Sequence, residues 1–193
     1  MKSFLLRVKN ILVQPREEWK VIQEERTAYG KLINGYVAII AAVPPLSAVA
    51  ARLLFGRGIA GSSPLGQVLA LNVLWYFMII INMVITSAVI TAVVTSKEPW
   101  WFSLRGLQLA SFSFTPLFLA AIPAIIPRLT WFFYPSIAYS LYLLYLGIRT
   151  MTGAGQGKAA ARAALSFFAA VLIVGALNGL EYMLESFLVS KAH

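Results

Sequence analysis

Three polar residues near the end of the chain share one face of a predicted helix. Asn178, Glu181 and Glu185 stand at positions i, i+3 and i+7 of an otherwise apolar run. Charged residues inside a membrane helix are costly, and they often mark a functional site. Arg52 and Arg128 end two other apolar runs on the same predicted side of the membrane. We interpret these five residues as a candidate polar intramembrane site for an ion or a lipid head group; a structural Glu181–arginine ion pair is the alternative.

The residue inventory excludes many catalytic and metal sites. The chain has no Cys and no Asp, all seven acidic residues are Glu, and the only His is His193. A His-based zinc site, an Asp–His relay and an EF-hand loop therefore lack their residues. Residues 152–158 are similar to a phosphate-binding loop, but they lack its first Gly and the Ser or Thr after the Lys. We expect no enzyme activity, no cofactor and no metal.

Composition indicates a protein that lies in a lipid bilayer. Of the 193 residues, 60% are hydrophobic and 12% are charged, whereas a soluble domain has about 25% charged residues. The net charge is +9, but the basic residues lie between apolar runs instead of clustering on one soluble face. That distribution is typical of membrane topology and does not favour a nucleic-acid partner.

The apolar runs predict an all-α membrane bundle with about five transmembrane helices, since about 20 helical residues cross the hydrocarbon core. We place N-terminal helices, cytoplasmic or interfacial, in residues 1–31 and a short tail in 189–193. The predicted spans are residues 32–54, 65–94, 107–126, 131–148 and 165–188.

Basic residues predict the orientation of the five spans. With the N-terminus in the cytoplasm, the inner segments hold twelve Lys and Arg residues and the outer segments hold four. The positive-inside rule therefore favours a cytoplasmic N-terminus and an external C-terminus. We expect a multi-pass protein of the inner (plasma) membrane.

The first helix has an apolar stripe flanked by basic residues. It can lie flat on an anionic membrane or dock on the protein's own membrane domain, and both interpretations stay open. Pro15 is predicted to begin a second helix, and Trp19 on that helix is a residue type that often lies at membrane interfaces. The stripe consists of Phe4, Leu5, Val8, Ile11 and Leu12, and the predicted interfacial anchors are Lys2, Arg7, Lys9 and Trp19.

Two pairs of residues are predicted to pack helices together. Gly175 and Gly179 form a small-xxx-small pair that lets another backbone approach, within the bundle or in a dimer. Asn72 and Asn82 in the second span are predicted to make interhelical hydrogen bonds.

Motifs at both ends of the membrane part resemble those of the bacterial Yip1-domain proteins. Residues 10–24 place Trp19 four positions after Pro15, followed by Ile22 and Glu24. Residues 139–147 are similar to that family's aromatic fourth span, which a Gly-containing loop and a last span follow. The resemblance implies five spans and a cytoplasmic N-terminus. Eukaryotic relatives associate with Rab GTPases, but their Asp-Leu-Tyr-Gly-Pro-type segment is missing here, so Rab binding is not carried over.

Three functions are consistent with these observations. The first is a non-enzymatic membrane protein that organises membrane or protein partners, with a membrane-protein partner or a second copy of the chain as candidates. The second is a small channel or carrier that uses the polar residues around Glu181. An intramembrane enzyme is least favoured, because the chain lacks Cys, Asp and any internal His.

Overall fold

Two short helices precede the membrane part of the protein. The computed structural model describes residues 3–25, 27–56, 65–94 and 103–191, without the side chains of residues 65, 67, 177, 178 and 180–191. Helix α1 (Phe4–Val13) and helix α2 (Pro15–Glu24) meet at Gln14. Proline suits the first turn of α2 because that turn needs no N–H donor there. Two glutamates in the same turn favour the helix through its dipole.

The predicted all-α architecture with five spans is confirmed. The described residues form helices and their connections, without a β-strand among them. The fourth and fifth helical segments begin before the predicted spans. A 3₁₀ turn precedes the fourth predicted span, and a charged helical turn precedes the fifth. The five segments that are long and apolar enough to cross a membrane are Tyr29–Phe55, Val68–Val94, Leu104–Ile125, Pro127–Thr152 and Gln156–Ala176.

Prolines mark the irregular points of the first and third spans. Pro44 and Pro45 lie in the first turn of α5, directly after a break at Ala42. Pro116 lies in the first turn of the helix Thr115–Leu119, directly after a break at Phe114. Proline cannot supply the backbone donor that continues a helix through these points. The first span consists of α3 (Tyr29–Leu32), a π-helical segment (Ile33–Val37), α4 (Ala38–Ala41) and α5 (Val43–Phe55).

The second, fourth and fifth spans belong to long helices, and short elements build the third. Helix α6 is packed against α7, which also contacts α9, while α10 lies against α6 and α9. These elements are α6 (Leu65–Val94), α7 (Leu104–Ser113), α8 (Thr115–Leu119), two 3₁₀ turns (Pro123–Ile125 and Pro127–Phe132), α9 (Phe133–Thr152) and α10 (Gln156–Lys191).

The third span lies at the centre of the bundle. Its most apolar window is 61% buried inside the protein, against 28–39% for the other four spans. The buried side chains of α7 therefore contact neighbours on several sides, whereas the other spans leave much of their surface for lipid. Helix α2 packs against α9, so the N-terminal helices lie on the same end of the bundle as the start of α7.

Candidate functional site

Trp19 joins α2 to the membrane bundle. Its indole is fully buried, and its ring meets the Phe112 ring edge-on, with the centroids 6.2 Å apart. Gly147 on α9 makes room for it: a Cβ atom there would lie 2.7 Å from both Trp19 Cζ2 and Leu109 Cδ2. Because atoms cannot approach so closely, only glycine lets the indole reach this depth. Trp19 and Gly147 thus hold the N-terminal cap, which we define as α1 and α2, on the bundle.

Arg7, Glu18 of α2 and Glu25, which directly follows α2, form a charged cluster at the cap. Arg7 Nη1 donates to Glu18 Oε1 at 2.6 Å, and Nη2 donates to Glu25. Asn10 Nδ2 donates to the second Glu18 oxygen at 3.0 Å. The guanidinium also lies 5.6 Å from the centre of the Phe112 ring, within the range of a cation–π contact. Burying these charges is tolerable only because they are paired and hydrogen-bonded.

Tyr36 continues this polar cluster into the membrane bundle. It comes from the π-helical segment, and its ring packs on Phe4 of α1 and on Phe112. Its hydroxyl lies 2.6 Å from the Thr115 hydroxyl. Thr115 in turn donates to the backbone oxygen of Ser111 at 2.9 Å. Polar contacts therefore continue from Tyr36 along about one helical turn of the third span.

Two cavities in the described part of the structure lie beside the cap. The smaller, about 30 Å³, is lined by Phe4, Arg7, Tyr36 and Phe112 among others, and it is large enough for a single water. The larger, about 310 Å³, lies between the chain after α2 and the start of α7. Its lining comprises Gln23, Glu25, Thr27, Ala28, Leu104, Arg105, Gln108 and Met151.

The first helix turns its inner face to the protein itself. Ile11 is fully buried, and Phe4, Val8 and Leu12 pack against the core. Leu5, which belongs to the predicted apolar stripe, is instead exposed on the opposite face. This placement fits the interpretation in which α1 docks on the membrane domain.

The role of Arg7 and Trp19 as anchors at a membrane surface stays a prediction. Both side chains are buried inside the protein. The reason is tertiary: Glu18 pairs with the guanidinium, and the notch at Gly147 admits the indole. Lys9 is exposed, and Lys2 lies outside the described residues.

The candidate polar intramembrane site is described only in part. Asn178, Glu181 and Glu185 belong to α10, but their side chains lie outside the described part of the structure. Arg52 is half-buried in the last turn of α5, and Arg128 is exposed in the turn before α9. Helix α5 contacts the 3₁₀ turn at the end of the third span, so the ends that carry the two arginines are neighbours.

The two glycines and two asparagines that were predicted to pack helices together do not make the predicted contacts in the described structure. Gly175 and Gly179 are exposed, and a Cβ atom on either would meet nothing within 4 Å. Packing of this pair within the bundle is therefore not seen among the described residues, and dimerisation stays a prediction. Asn72 Nδ2 donates to Val68 of its own helix at 2.8 Å. For Asn72 and Asn82 the side-chain oxygens are buried without a hydrogen-bond partner in the described structure, so the predicted interhelical bonds are not formed there.

Comparison with known proteins identifies the family of this fold. The sequence profile of the Yip1 domain matches residues 9–177, which covers the second half of α1, all of α2 and all five candidate spans. The chain belongs to the Yip1 domain family. No curated protein and no solved structure matches this Yip1 domain chain. The match places α2, part of α1 and the five candidate spans in one domain, and it assigns no chemistry to any residue.

The sequence analysis did not predict that several residues of this Yip1 domain protein come together at the cap. Arg7 stands three residues after Phe4 and four before Ile11. It therefore shares their helix face, and this spacing indicates that its side chain points inward. On α2, Glu18 stands four residues before Ile22, so these two residues also share a helix face. Gln108, Tyr36 and Thr115 carry no comparable signal, because isolated polar residues in apolar spans look alike in sequence. The full set that the structure adds is Asn10, Glu18, Glu25, Tyr36, Gln108, Thr115 and Gly147.

Proposed function

We propose that this Yip1 domain protein is a non-enzymatic integral membrane protein that organises membrane or protein partners, with its N-terminal cap as the contact surface. One observation carries this proposal. The cap is attached to the bundle by a buried indole, and a buried ion pair joins its two helices, yet its outer face is apolar and basic. Leu5 is 76% exposed and Val13 is 67% exposed.

The outer face of the cap is a continuous stripe. Leu5, Lys9 and Val13 follow one another at intervals of four residues, so they lie along one side of α1. Leu6 beside them is exposed as well. Apolar residues that share a surface with lysine suit an anionic membrane or a protein partner. Because α1 is held from its inner side, such a contact would act on a preformed surface.

The proposed orientation places the cap in the cytoplasm and the C-terminus outside the cell, in the inner (plasma) membrane. Its support is the excess of basic residues in the predicted inner segments. The cap lies where the first and third spans begin and the fourth ends, so the inner segments meet at one end of the bundle.

Removal of the whole N-terminus would be a poor test, because it would expose the Trp19 site on the bundle. A sharper test replaces both Leu5 and Val13 with Ser and captures the tagged full chain from native membranes after cross-linking. We expect the double variant to lose the partner that the parent chain retains. The matched control replaces the exposed pair Glu17 and Lys20 with Gln and should retain it. Equal capture by the parent and the Leu5/Val13 variant would contradict the proposal.

A small channel or carrier around Glu181 is the second candidate function. The observation that favours it is a set of buried hydroxyls without a hydrogen-bond partner in the described structure, on Ser113, Ser140 and Ser166. Unsatisfied polar groups in a membrane bundle suggest a path for water or ions. A flux assay in proteoliposomes separates the two functions. A leak that Glu181→Gln abolishes would establish transport, whereas the organising role predicts no protein-dependent flux.

A further inference from the structure

The end of helix α1 packs beside the fourth span at a level well inside that span. The hydroxyl of Tyr139 donates to the backbone oxygen of Leu12 at 2.7 Å. Tyr139 stands ten residues before Arg149, the basic residue in the last turn of α9, which is about 15 Å along the helix at 1.5 Å per residue. Half of the hydrocarbon core is about 15 Å thick. The end of α1 therefore lies beside a part of α9 that belongs to the apolar layer.

Contacts of α1 with two other spans lie at a similar level. The Phe4 ring packs on the Tyr36 ring, with the centroids 5.3 Å apart. The Arg7 guanidinium lies 5.6 Å from the centre of the Phe112 ring. Tyr36 stands seven residues after the start of the first span, and Phe112 stands eight residues after the start of the third. These separations correspond to about 10 to 12 Å of helix, so α1 lies against the sides of three spans and not only on their ends.

The outer face of α1 is directed sideways from the bundle. Ile11 on the inner face is fully buried, whereas Leu5 and Val13 on the opposite face are exposed. Because the inner face rests on the sides of the spans, the outer face points away from the bundle in the plane of the membrane. At this level, the medium that surrounds a membrane bundle is lipid. Exposed leucine and valine side chains are suited to that medium.

The charges of the cap indicate which part of the lipid it meets. Within α1 the basic residues are Arg7 and Lys9, and there is no acidic residue. Arg7 is buried, so the outer face of α1 presents Lys9. The stem of a lysine lies along apolar surface while its ammonium reaches the head groups, where anionic phosphates complement it. Helix α2 presents Glu17 and Lys20 as an exposed ion pair, which suits the head-group layer.

We propose that the cap lies within the leaflet on its own side of the bilayer, with Leu5, Leu6 and Val13 on acyl chains and Lys9 on anionic head groups. This inference rests on the proposed function, in which the same face is the contact surface, and it names lipid as the partner. Amphipathic helices in this position bury their apolar face about 5 to 10 Å into the boundary between head groups and acyl chains. The cap then occupies space in one leaflet only, so its contact with lipid should depend on membrane curvature.

Spin labels on single cysteines measure the depth of this face in the full chain, since the chain contains no Cys. In proteoliposomes, collisions of each label with lipid-soluble oxygen and with a water-soluble nickel chelate are compared. Leu172→Cys, at an exposed position of the fifth span, is the lipid reference, and Lys158→Cys, exposed near the start of α10, is the water reference. We expect Leu5→Cys and Val13→Cys to favour oxygen over nickel, at a depth of about 5 to 10 Å. Nickel access at either position like that of Lys158→Cys would overturn the proposal.

The preference for anionic head groups is tested next to the same face. A bimane fluorophore on Val13→Cys reports the neighbouring lipids, because spin-labelled lipids quench it on contact. Spin-labelled phosphatidylglycerol should be enriched about fivefold over spin-labelled phosphatidylcholine. Lys9→Gln should remove this enrichment, whereas Lys20→Gln, which opens the exposed ion pair of α2, should keep it. Equal quenching by the two lipids before either change would overturn the assignment of Lys9 to anionic head groups.

The depth measurement and the capture experiment fail separately. If nickel reaches the labels at positions 5 and 13, the lipid contact is wrong, while loss of a captured partner by the Leu5/Val13 variant would still support the organising role. If the labels lie in lipid and capture is unchanged in that variant, the organising role is wrong and the lipid contact stands.

Discussion

Arg7 on α1 and Glu18 on α2 form an ion pair that is buried at both ends, with 2.6 Å between Nη1 and Oε1. The two residues are 4% and 3% exposed. The pair joins the two helices of the cap across Gln14, and the Phe112 ring beneath the guanidinium connects it to the third span. Polar contacts thus orient the cap, while the indole of Trp19 anchors it.

Replacing Arg7 with Met should destabilise the protein substantially. Removing one partner of a buried ion pair leaves the other charge uncompensated, which costs about 3 to 5 kcal/mol. The free energy of unfolding in detergent micelles, followed by circular dichroism, measures the change. Lys20→Met removes an exposed pair of the same cap and should cost less than about 1 kcal/mol. Similar losses in both variants would show that burial of the Arg7 pair has no energetic consequence.

The notch at Gly147 should not tolerate a methyl group. Gly147→Ala places a Cβ atom 2.7 Å from Trp19 and Leu109, and such overpacking costs about 1 to 3 kcal/mol. Thermal unfolding of the purified protein should show a lower midpoint. Gly157→Ala is the control, because the space around that glycine is open. Combining Gly147→Ala with Trp19→Phe should cost less than the sum of the single changes; strict additivity would place the clash elsewhere.

The Tyr36–Thr115 hydrogen bond should contribute a measurable but modest stability. Tyr36→Phe removes it at nearly constant volume and should cost about 0.5 to 1 kcal/mol. Thr115→Val should cost a similar amount, and the double variant should cost less than the two together. Tyr142→Phe, on a partly exposed ring, should leave the free energy of unfolding unchanged. A Tyr36→Phe variant as stable as the parent would rule out this contribution.

Single cysteines test the proposed orientation without background, because the chain contains no Cys. Lys9→Cys and Arg128→Cys each change an exposed residue, one in the cap and one at the turn between the third and fourth spans. In intact cells, a membrane-impermeant maleimide should label Arg128→Cys only, and both should react after permeabilisation. Labelling of Lys9→Cys from outside would reverse the orientation.

Composition and hydropathy were enough to predict the fold class and the five spans. A membrane span is a local property, since about 20 consecutive apolar residues must satisfy the hydrocarbon core by themselves. The first helix could likewise be predicted from the spacing of Phe4, Val8 and Ile11. Helix ends were less accurate, because α10 begins at Gln156 in a polar stretch that hydropathy assigns to a loop.

Only the tertiary structure decided what the charged residues of the N-terminus do. Arg7 and Trp19 have the residue types of a membrane-surface anchor, and their burial depends on Glu18, Gly147 and Phe112, which belong to other helices. The same holds for the cavity beside Gln108, whose walls come from segments far apart in the chain. The sequence alone therefore determined that the protein lies in a membrane and crosses it five times, because apolar length is local. Which polar groups meet inside it was decided by packing, because such contacts join residues that are distant in sequence.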